Sequence, residues 1–177
     1  MKSIKTITYS RKLIDITKIN QFNIYEIAHC LGNLCRFNGH TMEFYSVAQH
    51  SFICSEIADD EYKLQALLHD SAEAYLGDIT TPIKEVLGKD FKKLEEDLLI
   101  RIFNCYGVNY PINEQVKKVD KLTLEIEMEQ FFGIPNWLGF RKEPEQTFRI
   151  GNLLNPAESK KVFLNQFHKL TNDKYRK

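Results

Sequence analysis

Apolar residues recur every three to four positions along most of this chain, and Gly, Pro and Asn cut the runs at short intervals. Such a chain packs as helices, because only a helix brings residues i, i+3, i+4 and i+7 onto one face. The spacing predicts helices over residues 24–35, 43–58, 61–76, 81–88, 90–106, 114–132 and 156–170. Asn23 is placed to cap the first, whose apolar stripe is Ile24, Ile27, Leu31 and Leu34. Gly77 suits the left-handed position after the third helix, and Pro156 the first position of the last. Residues 1–22 alternate polar and apolar around Ser10-Arg11-Lys12, the pattern of an extended arm or short hairpin. Residues 136–154 show no period and read mostly as loop. The expected fold class is all-α: one helical-bundle domain over residues 1–177, with a short N-terminal hairpin and, over 136–177, a loop and terminal helix.

Acidic and basic residues balance at 24 each, so no global field draws a nucleic-acid polymer or an anionic membrane. No apolar run approaches bilayer-spanning length, and MKSIKTITYSRKLIDITK lacks the apolar stretch of a signal peptide. A cytoplasmic protein without a membrane partner is therefore expected. The four cysteines form no CxxC pair, and Cys30 and Cys35 fall in one apolar helical pattern as small hydrophobes. Neither a disulfide nor a zinc-thiolate site is expected.

The densest chemical signal is ALLHDSAEAYLGDITTPIK, Ala66 to Lys84. On an α-helix His69 and Glu73 share a face, with Asp70 one step round and Asp78 just beyond the end. Imidazole nitrogen beside carboxylate oxygen suits a borderline divalent ion. So many acids with a histidine are costly to hold together without a cation or a donor network. His50 alone reads more simply as a satisfied core histidine, and Asp120 alone as a solvated charge among Lys117, Lys118 and Lys121.

Together they change meaning. His50, then His69-Asp70 19 residues on, then Asp120 50 residues beyond, each on a separate predicted helix, resemble the HD-domain phosphohydrolase superfamily. CRFNGHTMEFYSVAQHS followed by LLHDSAEAYLGDITTPIK is similar to the branch containing bacterial 5′-deoxyribonucleotidases and phage dATP triphosphohydrolases. The resemblance spans about residues 27–132 and implies an HD-domain helical bundle. It also implies one divalent ion (Mn, Co, Zn, Fe or Mg) held by His50, His69, Asp70 and Asp120, with positions left open for water and a phosphate oxygen. By the same resemblance Glu73 and Asp78 are the acids that orient or deprotonate the attacking water. Arg36 grips the substrate phosphate and Lys84 adds a second positive contact. Where the deoxyribonucleotidases carry a tryptophan after the arginine this chain has Phe37, which leaves the choice between ribose and deoxyribose open. His40 has no role in the pattern and reads as a polar wall or structural residue.

The implied activity is that of a metal-dependent 5′-nucleotidase, converting (deoxy)nucleoside monophosphates to nucleoside and phosphate. A dNTP triphosphohydrolase releasing triphosphate would use the same ligands. A non-catalytic nucleotide-binding regulator is a third alternative, against which the presence of Glu73 and Asp78 argues. A nucleotide is the expected small-molecule partner, and a homo-oligomer, dimer or higher, the expected assembly.

Overall fold

In the computed structural model, which describes residues 3–139 and 149–176, seven α-helices form among the described residues, four of them started by a short polar side chain that takes an orphaned backbone N–H. They are α1 (Ile24–Asn33), α2 (Val47–Ile57), α3 (Lys63–Leu68), α4 (Glu73–Leu76), α5 (Thr81–Tyr106), α6 (Glu114–Phe132) and α7 (Pro156–Leu170). Asn23 accepts from Tyr25 N at 3.0 Å, Ser46 from Gln49 N at 3.1 Å and Asn113 from Gln115 N at 2.9 Å. Asn155 and Glu158 form a reciprocal capping box at the start of α7. Each such cap contributes about 1 kcal/mol. The N-terminal alternation becomes a hairpin, β1 (Lys5–Ile7) antiparallel to β2 (Leu13–Asp15), with Thr6 opposite Ile14. The domain is thus all-α apart from this hairpin, as its periodicity predicts. No described helix is long and apolar enough to cross a membrane.

Several boundaries differ from the expectation, each for a local reason. The second helix starts at Val47, not at residue 43, because Ser46 caps it while bridging in extended form to Cys35. Arg36 N bonds to Tyr45 O at 2.9 Å, which pins the base of the same loop. Cys35 accordingly lies outside α1 and is exposed, not part of an apolar face. The expected helix 61–76 is a 3₁₀ turn at Asp60–Tyr62, then α3, a tight turn through His69–Ala72, and α4. Within that turn Ser71 N bonds to Leu68 O and Glu73 N to Asp70 O, both at 3.0 Å, the i to i−3 pattern of a 3₁₀ turn. The two helices expected over 81–88 and 90–106 run together as α5, broken only at Gly88 (φ 79, ψ −165). Gly77 has positive φ, but at φ 84, ψ 158 it is extended, not left-handed helical, a conformation open almost only to glycine. Of the expected 136–154 loop, 136–139 form a turn and 149–155 have no regular structure. Residues 140–148 of that expectation lie outside the described residues.

The core gathers Ile27 and Leu31 of α1, Leu67 and Leu68 of α3, Leu98, Ile102 and Phe103 of α5, and Phe163 and Phe167 of α7, all fully buried. Each such side chain contributes roughly 1.5–3 kcal/mol by leaving water. Helix α7 packs on α1, α2 and α3, so the C-terminal segment closes the bundle. At Gly32 a Cβ would sit 2.9 Å from Pro156 O, so the approach of α7 to α1 requires glycine there. Helix α6 packs across α2 and α3, which sets its polar residues against His50 and His69.

Candidate metal centre

Three elements deliver the polar cluster. Helix α2 carries His50 and, one turn on, Cys54; the tight turn after α3 carries His69 and Asp70; α6 carries Asp120 and, two turns on, Glu127. His50 Nε2 lies 3.2 Å from Asp120 Oδ1 and 3.5 Å from Asp70 Oδ2. His69 Nε2 lies 3.1 Å from Asp70 Oδ2 and 3.7 Å from Asp120 Oδ1. His50, Cys54, His69 and Asp120 each offer a ligand atom within 4.8 Å of the others. Ligands roughly 2.0–2.3 Å from one ion and about 90–110° apart lie roughly 2.8–3.8 Å from each other, which covers the four histidine–aspartate separations.

The outward hydrogen bonds set the tautomers. His69 Nδ1 sits 2.7 Å from Ala66 O, and a carbonyl only accepts, so the proton is on Nδ1. His50 Nδ1 sits 2.7 Å from Glu127 Oε1, again the partner of an N–H. Each neutral ring therefore turns its Nε2 lone pair toward the two aspartates. His69 Nε2 is buried and makes no hydrogen bond, although Asp70 stands close by. Lone pairs and carboxylates facing one another repel unless a positive charge lies between them. In a metal-free site that charge is the proton. Burial disfavours charge on His50 and Arg36 disfavours it further, yet Cys54, Glu127 and Asp120 hold its pKa well above the ordinary value. Burial likewise opposes charge on His69, and Asp70 and Asp120 reverse it. Burial would raise Asp70, but His69 and His50 bring it down to about 2. Asp120, whose side chain forms the 43% exposed rim, is also held well below the usual carboxylate range: burial opposes this and the two imidazoles overcome it. The donor set fits a divalent ion of borderline softness.

Beside the cluster a cleft of about 280 Å³ is lined by His69, Asp70, Glu73, Lys84, Glu95 and Asp120, with Lys92 among its further residues. A larger cleft of about 450 Å³ beside Gln65 and Asn109 holds none of the cluster. Chemistry, not volume, picks out the smaller one. In the 3₁₀ turn Asp70 and Glu73, three apart, come onto one face, where the α-helical expectation paired His69 with Glu73. Burial, then the charges of Asp70 and Asp78, push the Glu73 carboxyl well up, and Lys84 and Arg36 only partly counter them. Burial also raises Asp78, against the pull of Arg36. Lys84 Nζ lies 3.4 Å from Glu73 Oε1 and 2.7 Å from Glu95 Oε1.

Arg36 is nearly buried, its Nη2 2.8 Å from Glu127 Oε2 and its Nη1 3.9 Å from Asp70 Oδ2. The two residues after it, Phe37 and Asn38, hold left-handed φ values of 53 and 52, which reverse the chain and fix the arginine's root. The Phe37 ring does not line the cleft; it packs edge-on against Phe132 with centroids 5.2 Å apart. His40 is exposed, bonded through its backbone N–H to Phe37 O.

No protein-family model matches the sequence. Over 122 residues, 68% of each chain, it is 41% identical to the uncharacterized protein YfdR of Escherichia coli. The chain belongs to the YfdR family. It is also 34% identical over 134 residues, 68% of each chain, to an uncharacterized protein of Rhodobacter capsulatus. In this YfdR-family chain four residues of the site go beyond those the sequence singled out: Glu127, Cys54, Glu95 and Lys92. Glu127 is fully buried and accepts from Tyr45 OH, His50 Nδ1 and Arg36 Nη2 at 2.7, 2.7 and 2.8 Å. Its signal was the seven-residue step from Asp120, two helical turns on the same face. Cys54 stands four residues after His50 on α2, and Lys92, Glu95 and Leu99 repeat at helical spacing toward the cleft.

Proposed function

We propose that this chain is a metal-dependent phosphohydrolase of the HD type that releases phosphate from small nucleotides, (deoxy)nucleoside monophosphates foremost. The observation that carries this reading is the convergence of two imidazole lone pairs and two aspartates at the mouth of a cleft lined by Glu73 and Lys84. A divalent ion, when bound, polarises a phosphoryl oxygen and acidifies water. The chain's own residues supply the remainder. Glu73 and Asp78, both raised above the ordinary carboxyl range, are suited to take a proton from water and return one to a leaving oxygen. Glu73 Oε2 is buried without a hydrogen-bond partner, which leaves an acceptor for that proton. Lys84 and the Nη1 side of Arg36 provide positive groups for phosphate oxygens. A cleft of about 280 Å³ lies at the small end of ligand pockets and suits a mononucleotide rather than a polymer.

Lys92 at the same cleft favours a second reading, in which further phosphates are held and triphosphate is released from dNTPs. Product analysis separates the two. The protein, loaded in turn with Mn, Co, Zn and Mg, is given matched ribo- and deoxynucleoside mono- and triphosphates, and released phosphate and triphosphate are quantified. Phosphate from monophosphates, lost in Asp70→Asn, is the expected result. One ion bound per chain with no turnover of any nucleotide would overturn the hydrolase reading.

A further inference from the structure

Cys54 has two possible lives. As a buried thiol it packs among Ala58, Ala66, Val116 and Val119, the usual setting of an inert small hydrophobe. Yet its Sγ lies 3.5 Å from His50 Nε2, the atom whose lone pair faces the two aspartates. It also falls within 4.8 Å of the ligand atoms of His69 and Asp120. The 3.5 Å separation of sulfur and nitrogen is roughly what two ligands at about 2.3 and 2.0 Å from one tetrahedral ion would show. The four-residue step along α2 puts both donors on one helix face, so no rearrangement of backbone is needed to present them together.

We propose that Cys54 is an inner ligand of the metal centre, which makes the site a nitrogen–oxygen–sulfur set selective for thiophilic ions such as Zn, Co and Fe over Mg. This rests on the metal-site reading above and goes beyond it, since the resemblance assigns the cysteine no role. Formation of the metal–sulfur bond releases the thiol proton to solvent. Thr123 Oγ1, 3.4 Å from the sulfur, now accepts from the thiol while donating to Val119 O at 2.9 Å. It can turn to donate to the sulfur at little cost, because a carbonyl inside a helix already has its backbone partner. Soft thiolate favours Zn, Co and Fe, whereas Mg prefers oxygen alone.

The test is the absorption spectrum of the full chain after removal of metal and addition of one equivalent of Co(II). A sulfur-to-cobalt charge-transfer band in the near ultraviolet is expected in the wild type and absent in Cys54→Ser and Cys54→Ala. Both variants should still bind cobalt through the histidines and aspartates, with Zn and Co affinity lowered roughly 10- to 100-fold or more and Mg affinity unchanged. Cys30, Cys35 and Cys105 remain in place as internal controls. Cobalt bound without the band overturns the role of Cys54 and leaves the metal centre standing. No cobalt bound overturns both. If neither variant folds, the wild-type band still decides, because among the described residues Cys54 is the cysteine grouped with the histidines and Asp120.

Discussion

The Glu127 carboxylate lies 2.7 Å from His50 Nδ1 and 2.8 Å from Arg36 Nη2, so one buried acid orients an imidazole of the proposed metal centre and anchors a cation at once. Burial opposes its charge, and Arg36, then His50, overcome that and hold it ionised below the ordinary range. Glu127→Gln keeps an acceptor for the imidazole but removes the charge. Metal affinity, read by calorimetry, should fall roughly 10- to 100-fold, as for other outer partners of metal-bound histidines. Glu127→Ala leaves Arg36 buried without its partner and should cost about 3–5 kcal/mol in denaturant unfolding. Unchanged metal affinity in Glu127→Gln would show that the hydrogen bond to the imidazole suffices and that the carboxylate charge adds nothing.

Lys84 lies against Glu73, and its charge lowers a carboxyl that burial and two aspartates raise. If Glu73 is the base, Lys84→Met should push its pKa higher still. The acid limb of the kcat/KM profile then moves to higher pH, since more alkaline solution is needed to ionise it. Glu73→Ala itself should slow turnover by about 10²-fold or more while metal binding persists. An acid limb that stays put in Lys84→Met would count against Glu73 and Asp78 alike as the base, because the Lys84 charge lowers both carboxyls.

Arg36→Ala is a poor probe of phosphate binding, because it strips Glu127 of its ion pair and should destabilise the fold by about 3–5 kcal/mol. Arg36→Lys keeps a positive charge near Glu127 but loses the planar fork that pairs with phosphate. KM for all nucleotides should rise together in Arg36→Lys, ribo and deoxy alike, with melting temperature less affected than in Arg36→Ala. An unchanged KM would confine Arg36 to a structural role.

Local sequence carried the helices and most of their caps, since Asn23, Asn113 and Asn155 each act within a few residues of themselves. The cluster of His50, His69, Asp70 and Asp120 was legible in sequence only as a whole. His50 and Asp120 are each ordinary on their own helix, and their meaning comes from the packing of α6 on α2. The break at His69 has no Gly or Pro to announce it; there the side chain takes the Ala66 carbonyl at 2.7 Å and the backbone tightens. Glu127 looked like one more acid on a charged helix, because its partners Arg36 and Tyr45 lie 91 and 82 residues away and its one local signal is the seven-residue step from Asp120. Phe37 stays beside Arg36 in space as well as in sequence: the guanidinium carbon sits 5.3 Å from its ring centroid, while the left-handed backbone sets the ring edge-on against Phe132.

In the proposed centre a metal would compete with protons, and the sign of that competition can be read from stability. His50 and His69 hold protons more tightly in the folded chain than at their ordinary value of 6.5. Their contribution to stability is therefore full below pH 6.5 and is lost as pH rises through the raised values. Asp70, at about 2 against 3.8, works the other way, its contribution present above 3.8 and lost as pH falls through about 2. The metal-free protein should therefore lose melting temperature as pH rises from 6.5, when like lone pairs and carboxylates are left facing one another. A divalent ion takes the place of those protons, so the rise in melting temperature on adding Zn or Mn should grow over the same interval. The measurement is a pair of melting series, chelator-treated and metal-loaded, run across pH with Asp70→Ala alongside. In Asp70→Ala both trends should flatten, because a ligand and the anion that raises His69 are gone together. A metal-induced gain that is largest at the acid end would mean that the ion binds elsewhere than between these two histidines.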